Sequence, residues 1–249
     1  SFADYDLYGD LDGYLLTNQL TKVANVKEHT RIVVLPAGEA RTYNAVQSDH
    51  LYRNDGDGTF TDVSEQAGIS GTDFTLSATW WDYDEDGLPD LYVTNDFFGQ
   101  DYLYRNNGDA TFTEVGREAG ISGYDMGLGV TWWDYNADGH PDVYVANDFH
   151  GPDRLYRNDG DGTFTDVAPK ALPHTPWFSM GIGTADIDND GRLDLMGSDM
   201  SGTSHYKQKV GMGDMSNESW FLSHGEPLQY MRNAVYLNTG TERFMEVAY

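Results

Sequence analysis

Four aspartates, Asp82, Asp84, Asp86 and Asp90, fall within the nine residues "DYDEDGLPD", and the pattern returns twice. In "DYNADGHPD" it holds Asp134, Asn136, Asp138 and Asp142, and in "DIDNDGRLD" it holds Asp186, Asp188, Asp190 and Asp194. Carboxylates about 5 Å apart repel by roughly 1–3 kcal/mol per pair, so each loop calls for a counter-charge. Oxygen ligands at positions 1, 3 and 5 lie on one side of a tight turn, and glycine at position 6 (Gly87, Gly139, Gly191) permits that turn. A backbone carbonyl at position 7 (Leu88, His140, Arg192) and the carboxylate at position 9 complete an oxygen cage suited to Ca²⁺.

Other metals and other loops fit less well. An EF-hand needs a bidentate Glu at position 12. Here Val93, Val145 and Gly197 occupy it. No histidine or cysteine stands at zinc-ligand spacing, and Mg²⁺ prefers fewer protein ligands and more water. A solvated Asp-Gly turn would explain any single loop. Three in register favour calcium. A further copy, "DYDLYGDLD", offers Asp4, Asp6 and Asp12 but places Tyr8 at position 5. Asp10 is available there by side chain or carbonyl, so this loop reads equally well as a fourth site and as a plain turn.

The elements that position these loops repeat with them. "LYRNDGDGTFTDV" at 51–63 recurs as "LYRNNGDATFTEV" at 103–115 and again at 155–167, with a worn copy, "VYLNTGTERFMEV", at 235–247. The three complete loops and the first three hairpins each start 52 residues apart. Two interleaved series with one period mark a repeat architecture. Within a unit, "GLGVTWW", "LYVTN" and "LYRN" followed by "TFTEV" are β-rich segments, the last two joined by an Asn/Asp-Gly turn. That predicts four strands per unit with the aspartate loop between the first and second. Glycines at alternate positions (Gly127, Gly129; Gly181, Gly183) suit an innermost strand that is closely approached on one face. The fold expected is all-β, a β-propeller region over 1–249 with four-stranded blades at about 1–63, 74–115, 126–167 and 178–249.

Residues 19–49 and 198–233 are insertions between second and third strands, on the face opposite the aspartate loops. They hold seven basic residues (Lys22, Lys27, Arg31, Arg41, Lys207, Lys209, Arg232) and the aromatics Tyr206, Trp220, Phe221 and Tyr230. Insertions gathered on one face mark a binding face or a covered rim. In "NDGDGTF" the aspartates read as turn caps, and Asn95, Asp96, Asp101, Asn147, Asp148 and Asp153 as turn formers. Three residues precede the first loop and the last strand ends the chain, so further blades or partner chains are expected to cover open propeller edges.

Composition narrows the partners. Fifteen basic against 41 acidic residues give a net charge of −26, which argues against nucleic acid and anionic membrane surfaces. No apolar run is long enough to span a membrane, and the absence of cysteine excludes disulfides and thiolate chemistry.

"DYDEDGLPDLYV" followed by "LYRNNGDATFTEV" resembles the FG-GAP/VCBS repeats of integrin-α-type seven-bladed propellers. The final segment, from "MGIGTADIDNDGRLD" to "NAVYLNTGTERFMEVAY", is similar to the propeller part of the cartilage acidic protein/UnbV group. The resemblance implies an extracellular, cell-surface or periplasmic propeller stabilised by Ca²⁺ and used in adhesion or recognition of a protein or glycan. It implies the same side-chain ligands in the three complete loops, with Tyr8 as a departure. A lectin is the first alternative; recurring Trp80/Trp81 and Trp132/Trp133 bear on it but read as core. An enzyme is the second, and His29, His50, His205, His224 and Lys207 form no recognisable catalytic motif. The expectation is a non-enzymatic scaffold.

Overall fold

Each sequence repeat folds as a four-stranded antiparallel sheet, a blade of a β-propeller. The computed structural model describes residues 1–17, 30–34, 40–44, 48–69, 71, 74–96, 99–121, 125–148, 151–200 and 226–248, with 30–34 and 40–44 as backbone only. The first blade comprises β1 (Phe2–Ala3) and β2 (Asp12–Leu15), then a two-stranded ribbon, β3 (Thr30–Val34) with β4 (Ala40–Asn44). It ends with β5 (His50–Asn54) and β6 (Phe60–Asp62), followed by the single turn α1 (Ser64–Ala67). The second blade is β7 (Phe74–Trp81), β8 (Asp90–Asp96), β9 (Tyr102–Asn106) and β10 (Phe112–Glu114). The third is β11 (Gly127–Trp133), β12 (Asp142–Asn147), β13 (Arg154–Asn158) and β14 (Phe164–Asp166). After α2 (Ala168–Ala171) and β15 (Thr175–Pro176), the fourth blade has β16 (Ser179–Ala185), β17 (Asp194–Asp199), β19 (Ala234–Asn238) and β20 (Phe244–Glu246). β18 (Gln229–Tyr230) pairs in parallel with β15.

The expected strand order holds in every blade. The inner strand of the first blade is short: β1 pairs only Phe2 with Gly13 and Ala3 with Asp12, whereas β7 pairs from Phe74–Asp96 to Trp81–Asp90. Most of both insertions lies outside the described residues, including Lys22, Lys27, Lys207, Lys209, Tyr206, Trp220 and Phe221, as do His29, His205 and His224. Among the described residues, no helix is long and apolar enough to cross a membrane.

The chain divides into two compact units, one built on Ser1–Arg117 and one on Glu118–Ile121 with Asp125–Tyr249. Period-2 alternation decides each core, because paired residues on neighbouring strands share a face. In the first unit Tyr14 and Leu51 of the first blade cluster with Leu91, Val93, Tyr104 and Phe112 of the second. In the second unit Tyr144, Ala146 and Leu155 of the third blade cluster with Leu195, Ala234, Tyr236 and Phe244 of the fourth. Each large side chain buried this way contributes roughly 1.5–3 kcal/mol. Gly129 is needed in the second cluster: a Cβ there would sit 3.3 Å from Ile182.

Buried tyrosine hydroxyls find carboxylates at the far end of the first three blades. The Tyr14 hydroxyl donates to Asp49 at 2.9 Å, Tyr92 to Asp101 at 3.1 Å and Tyr144 to Asp153 at 2.5 Å. Asp101 and Asp153 also accept the backbone N–H of Asn95 and Asn147, which confirms the structural role expected for the "NDFFGQD" and "NDFHGPD" turns.

Candidate metal centres

The four aspartate loops share one hydrogen-bonding plan. At position 1, a carboxylate oxygen accepts the N–H of the position 6 glycine. The pairs are Gly9 to Asp4 (3.0 Å), Gly87 to Asp82 (2.9 Å), Gly139 to Asp134 (2.9 Å) and Gly191 to Asp186 (3.0 Å). Position 6 has a left-handed φ of 88–95° in all four loops. So does position 4, with φ of 60–61° at Leu7, Glu85, Ala137 and Asn189. Only Asn189 is a residue type that tolerates this conformation readily. Composition gives no signal for the other three.

At position 9 both carboxylate oxygens are engaged. Asp12 accepts the N–H of Tyr5 and of Asn54; Asp90 accepts those of Tyr83 and Asn106. Asp142 accepts those of Tyr135 and Asn158, and Asp194 those of Ile187 and Asn238. This aspartate therefore ties its loop to the hairpin of its own blade and keeps second lone pairs for a cation. Burial pushes Asp90 and Asp142 up to about 7, and burial also raises Asp12. Asp84 is raised by burial and then by its neighbour Asp86.

Three loops bring carboxylates together. Oxygens of Asp4, Asp6 and Asp12, of Asp82, Asp84 and Asp86, and of Asp186, Asp188 and Asp194 each lie within 4.8 Å of one another. The first loop converges despite Tyr8, because the Tyr8 N–H bonds Asp6 at 3.2 Å and keeps the turn. Oδ1 of Asp4 and of Asp82 is buried with no hydrogen-bond partner, which is the environment a cation would relieve. In the other two loops the corresponding oxygen accepts the position 5 N–H, from Asp138 at 3.2 Å and from Asp190 at 3.1 Å. The 134–142 loop departs in another way, since the Asn136 amide donates to Asp138 at 2.7 Å. In the 186–194 loop the Arg192 guanidinium pairs with Asp190.

The side chains of position 7 reach over the hairpin, that of Arg192 while keeping its pair with Asp190. Asp10, Leu88, His140 and Arg192 lie over the hairpin glycines Gly56, Gly108, Gly160 and Gly240, where an added Cβ would come within 2.6–3.4 Å of them. Side-chain type is therefore free at this position, as a carbonyl ligand requires.

The sequence reading missed the hairpin asparagines. Asn54, Asn106, Asn158 and Asn238 each accept the N–H of the glycine two residues on. Each also donates to the position 8 carbonyl of its own loop: Leu11, Pro89, Pro141 or Leu193. Their invariance across the four "N-D/N/T-G" turns was the available signal. The hairpin aspartates cap turns as expected: Thr59 N–H bonds Asp57 and Thr61 Oγ1 bonds Asp55. His50, considered as a catalytic candidate, pairs with Asp62 at 2.8 Å on the blade surface. Trp132 and Trp133 are buried as expected, whereas Trp81 is exposed.

Comparison with known proteins agrees with this repeat. The FG-GAP-like repeat family matches residues 32–93, 82–145 and 134–197. Cartilage acidic protein 1 of Homo sapiens is 32% identical over 143 residues, covering 54% of this chain and 20% of that protein. The Mus musculus protein is 28% identical over 153 residues, covering 57% and 24%, and the Xenopus tropicalis protein is 33% identical over 115, covering 43% and 16%. The chain thus spans about a fifth of the length of these curated relatives. A solved Agrocybe aegerita lectin recognising non-reducing terminal N-acetylglucosamine has a TM-score of 0.44 and 20% identity, over 81% of this chain and 46% of its own. With three overlapping matches running from the first blade into the fourth, the chain belongs to the FG-GAP-like repeat proteins.

Proposed function

We propose that the chain is a non-enzymatic recognition scaffold outside the cytoplasm, stabilised by Ca²⁺ in its aspartate loops, with a protein or glycan as its ligand. The observation that carries the calcium reading is the pair of buried, unpartnered carboxylate oxygens, Asp4 Oδ1 and Asp82 Oδ1, inside converged carboxylate groups. Positions 1, 3, 5 and 9 would supply side-chain oxygens and position 7 a carbonyl; for the first loop these are Asp4, Asp6, Asp12 and the carbonyl of Asp10. The ion would remove the repulsion among carboxylates that hold little else of opposite charge.

Energetics favour a calcium-rich compartment. At a Kd of ~0.1 mM, ~1 mM Ca²⁺ adds about 1.4 kcal/mol per site, so three or four sites add roughly 4–6 kcal/mol. That is comparable with the net stability of a whole domain. At submicromolar calcium the contribution vanishes. The relationship to cartilage acidic protein 1 is consistent with an extracellular setting.

Calorimetric Ca²⁺ titration with a thermal melt in EGTA tests the reading. Three or four sites per chain and a sharp drop in Tm on chelation are expected. No binding heat and an unchanged melt would reduce the loops to solvated turns.

A glycan is the second reading for the ligand. An open cavity of about 520 Å³ is lined by Ala3, Leu7, Trp80, Trp81, Asp82 and Pro89. The exposed Trp81 offers an aromatic face beside a carboxylate. Quenching of tryptophan fluorescence by simple sugars, lost in Trp81→Ala, supports this reading; no quenching removes it.

A further inference from the structure

Arg192 sets the fourth aspartate loop apart from the second. Position 7 lends a carbonyl whatever its side chain, but here the side chain also reaches back into the loop. The Arg192 guanidinium pairs with Asp190 at position 5, and its Nε donates to the Asn238 carbonyl at 2.9 Å. Leu88, its counterpart in the second loop, lies over Gly108 and brings no charge. The 82–90 loop carries five acidic side chains and no basic one, whereas the 186–194 loop carries four and Arg192.

Convergence of the carboxylates follows that difference. The second loop gathers Asp82, Asp84 and Asp86, position 5 included. The fourth gathers Asp186, Asp188 and Asp194, while its position 5 carboxylate is held by Arg192. That leaves it the donor positions of the first loop, where position 5 is Tyr8. Position 1 differs as well. Oδ1 of Asp82 is buried without a partner, whereas Oδ1 of Asp186 already accepts the N–H of Asp190 at 3.1 Å.

We infer that Arg192 is a tethered competitor for calcium, which holds Asp190 in the metal-free loop and makes 186–194 a weaker site than 82–90. The inference rests on the calcium reading of the loops. In the metal-free protein this arginine relieves the repulsion among the carboxylates around it, a counter-charge the second loop has no residue of its own to supply. The Arg192 side chain is 43% exposed, so it can turn to solvent when the ion takes Asp190. Competition therefore weakens the site without closing it. Breaking an exposed ion pair and keeping a divalent ion beside a guanidinium together amount to about a tenfold loss of affinity. Calcium then fills the two loops in order, the second blade before the fourth.

The amide signals of the position 6 glycines read each loop separately, because Gly87 and Gly191 donate to Asp82 and Asp186. In a calcium titration of the whole 249-residue chain followed by heteronuclear NMR, the Gly191 midpoint is expected about tenfold above that of Gly87. Arg192→Leu gives the fourth loop the side chain of the second; it should lower the Gly191 midpoint about tenfold and leave Gly87 unmoved. Leu88→Arg should raise the Gly87 midpoint by a similar factor while the Gly191 midpoint stays at its parent value, which also shows that this variant is folded. A parent Gly191 midpoint at or below that of Gly87, or one that Arg192→Leu does not lower, would overturn the inference. Calcium-dependent shifts at Gly87 in the same titration would leave the calcium reading standing. No shift at Gly9, Gly87, Gly139 or Gly191 would remove both.

Discussion

The Asn106 amide donates to the Tyr5 carbonyl at 2.8 Å, joining the hairpin of the second blade to the aspartate loop of the first. The Asn238 amide repeats the bond to the Tyr135 carbonyl at 2.6 Å in the other unit. One buried side chain thus fixes its own hairpin, its own loop and the preceding loop.

Asn106→Ala removes all three links and strands the Tyr5 carbonyl in a buried position. A loss of about 2–4 kcal/mol is expected in urea unfolding, since abandoned buried polar groups cost about 1–3 kcal/mol each. The exposed neighbour Asn107, bonded only to Thr111 and Thr113, serves as control; Asn107→Ala should cost less than about 1 kcal/mol. Equal losses at both positions would contradict the coupling role.

Calcium should reverse the pH dependence of stability. Asp153, Asp90 and Asp142 are each pushed up to about 7 by burial, so the metal-free fold holds protons that the unfolded chain releases near pH 4. Stability of the chelator-stripped protein should therefore fall as pH rises from about 4 to about 7, by roughly 1 kcal/mol per pH unit for each such group. With calcium present, Asp90 and Asp142 bind as carboxylates, and stability should rise with pH over that range. Urea melts across the range, with and without calcium, read the two slopes. Equal slopes would refute metal binding at these aspartates.

Much of this was legible in the sequence because the repeat is a spacing, and spacing survives without coordinates. The 52-residue period placed the strands and loops, and glycine at position 6 announced its turn. Backbone strain and hydrogen-bond direction are not spacing. Nothing in Leu7, Glu85 or Ala137 announces a positive φ, because the loop imposes it against residue preference. The double role of Asp90 was hidden for a related reason: a carboxylate at a ligand position reads as a ligand, although its bonds to Tyr83 and Asn106 hold the blade together. Exposure of Trp81, against burial of Trp133 at the same repeat position, is a matter of surroundings that the repeat does not encode.

Relief of the position 4 strain should stabilise the protein. Ala137 has a φ of 60°, which disfavours most side chains by about 1–2 kcal/mol, while asparagine adopts it with local hydrogen bonding. Ala137→Asn is expected to gain about 0.5–1 kcal/mol in a urea melt, and Ala137→Val to lose at least as much. The reverse order would mean that the loop does not hold this backbone conformation in solution.

Positions 3 and 9 of one loop should separate binding from folding. Asp84 reaches the converged group through its side chain and holds a single N–H of the loop, that of Asp86, so Asp84→Ala should subtract one calcium from the calorimetric stoichiometry. The metal-free melt should stay within about 1 kcal/mol of the parent. Asp90 holds the N–H groups of Tyr83 and Asn106, so Asp90→Ala leaves two donors without their partner in a buried site. A loss of about 2–4 kcal/mol is expected there even without calcium. Asp90→Asn keeps one acceptor oxygen and should fall between the two. If Asp84→Ala and Asp90→Ala instead lower the metal-free melt equally, position 9 has no structural duty beyond the ion. If neither changes the calcium stoichiometry, the 82–90 loop is not a binding site.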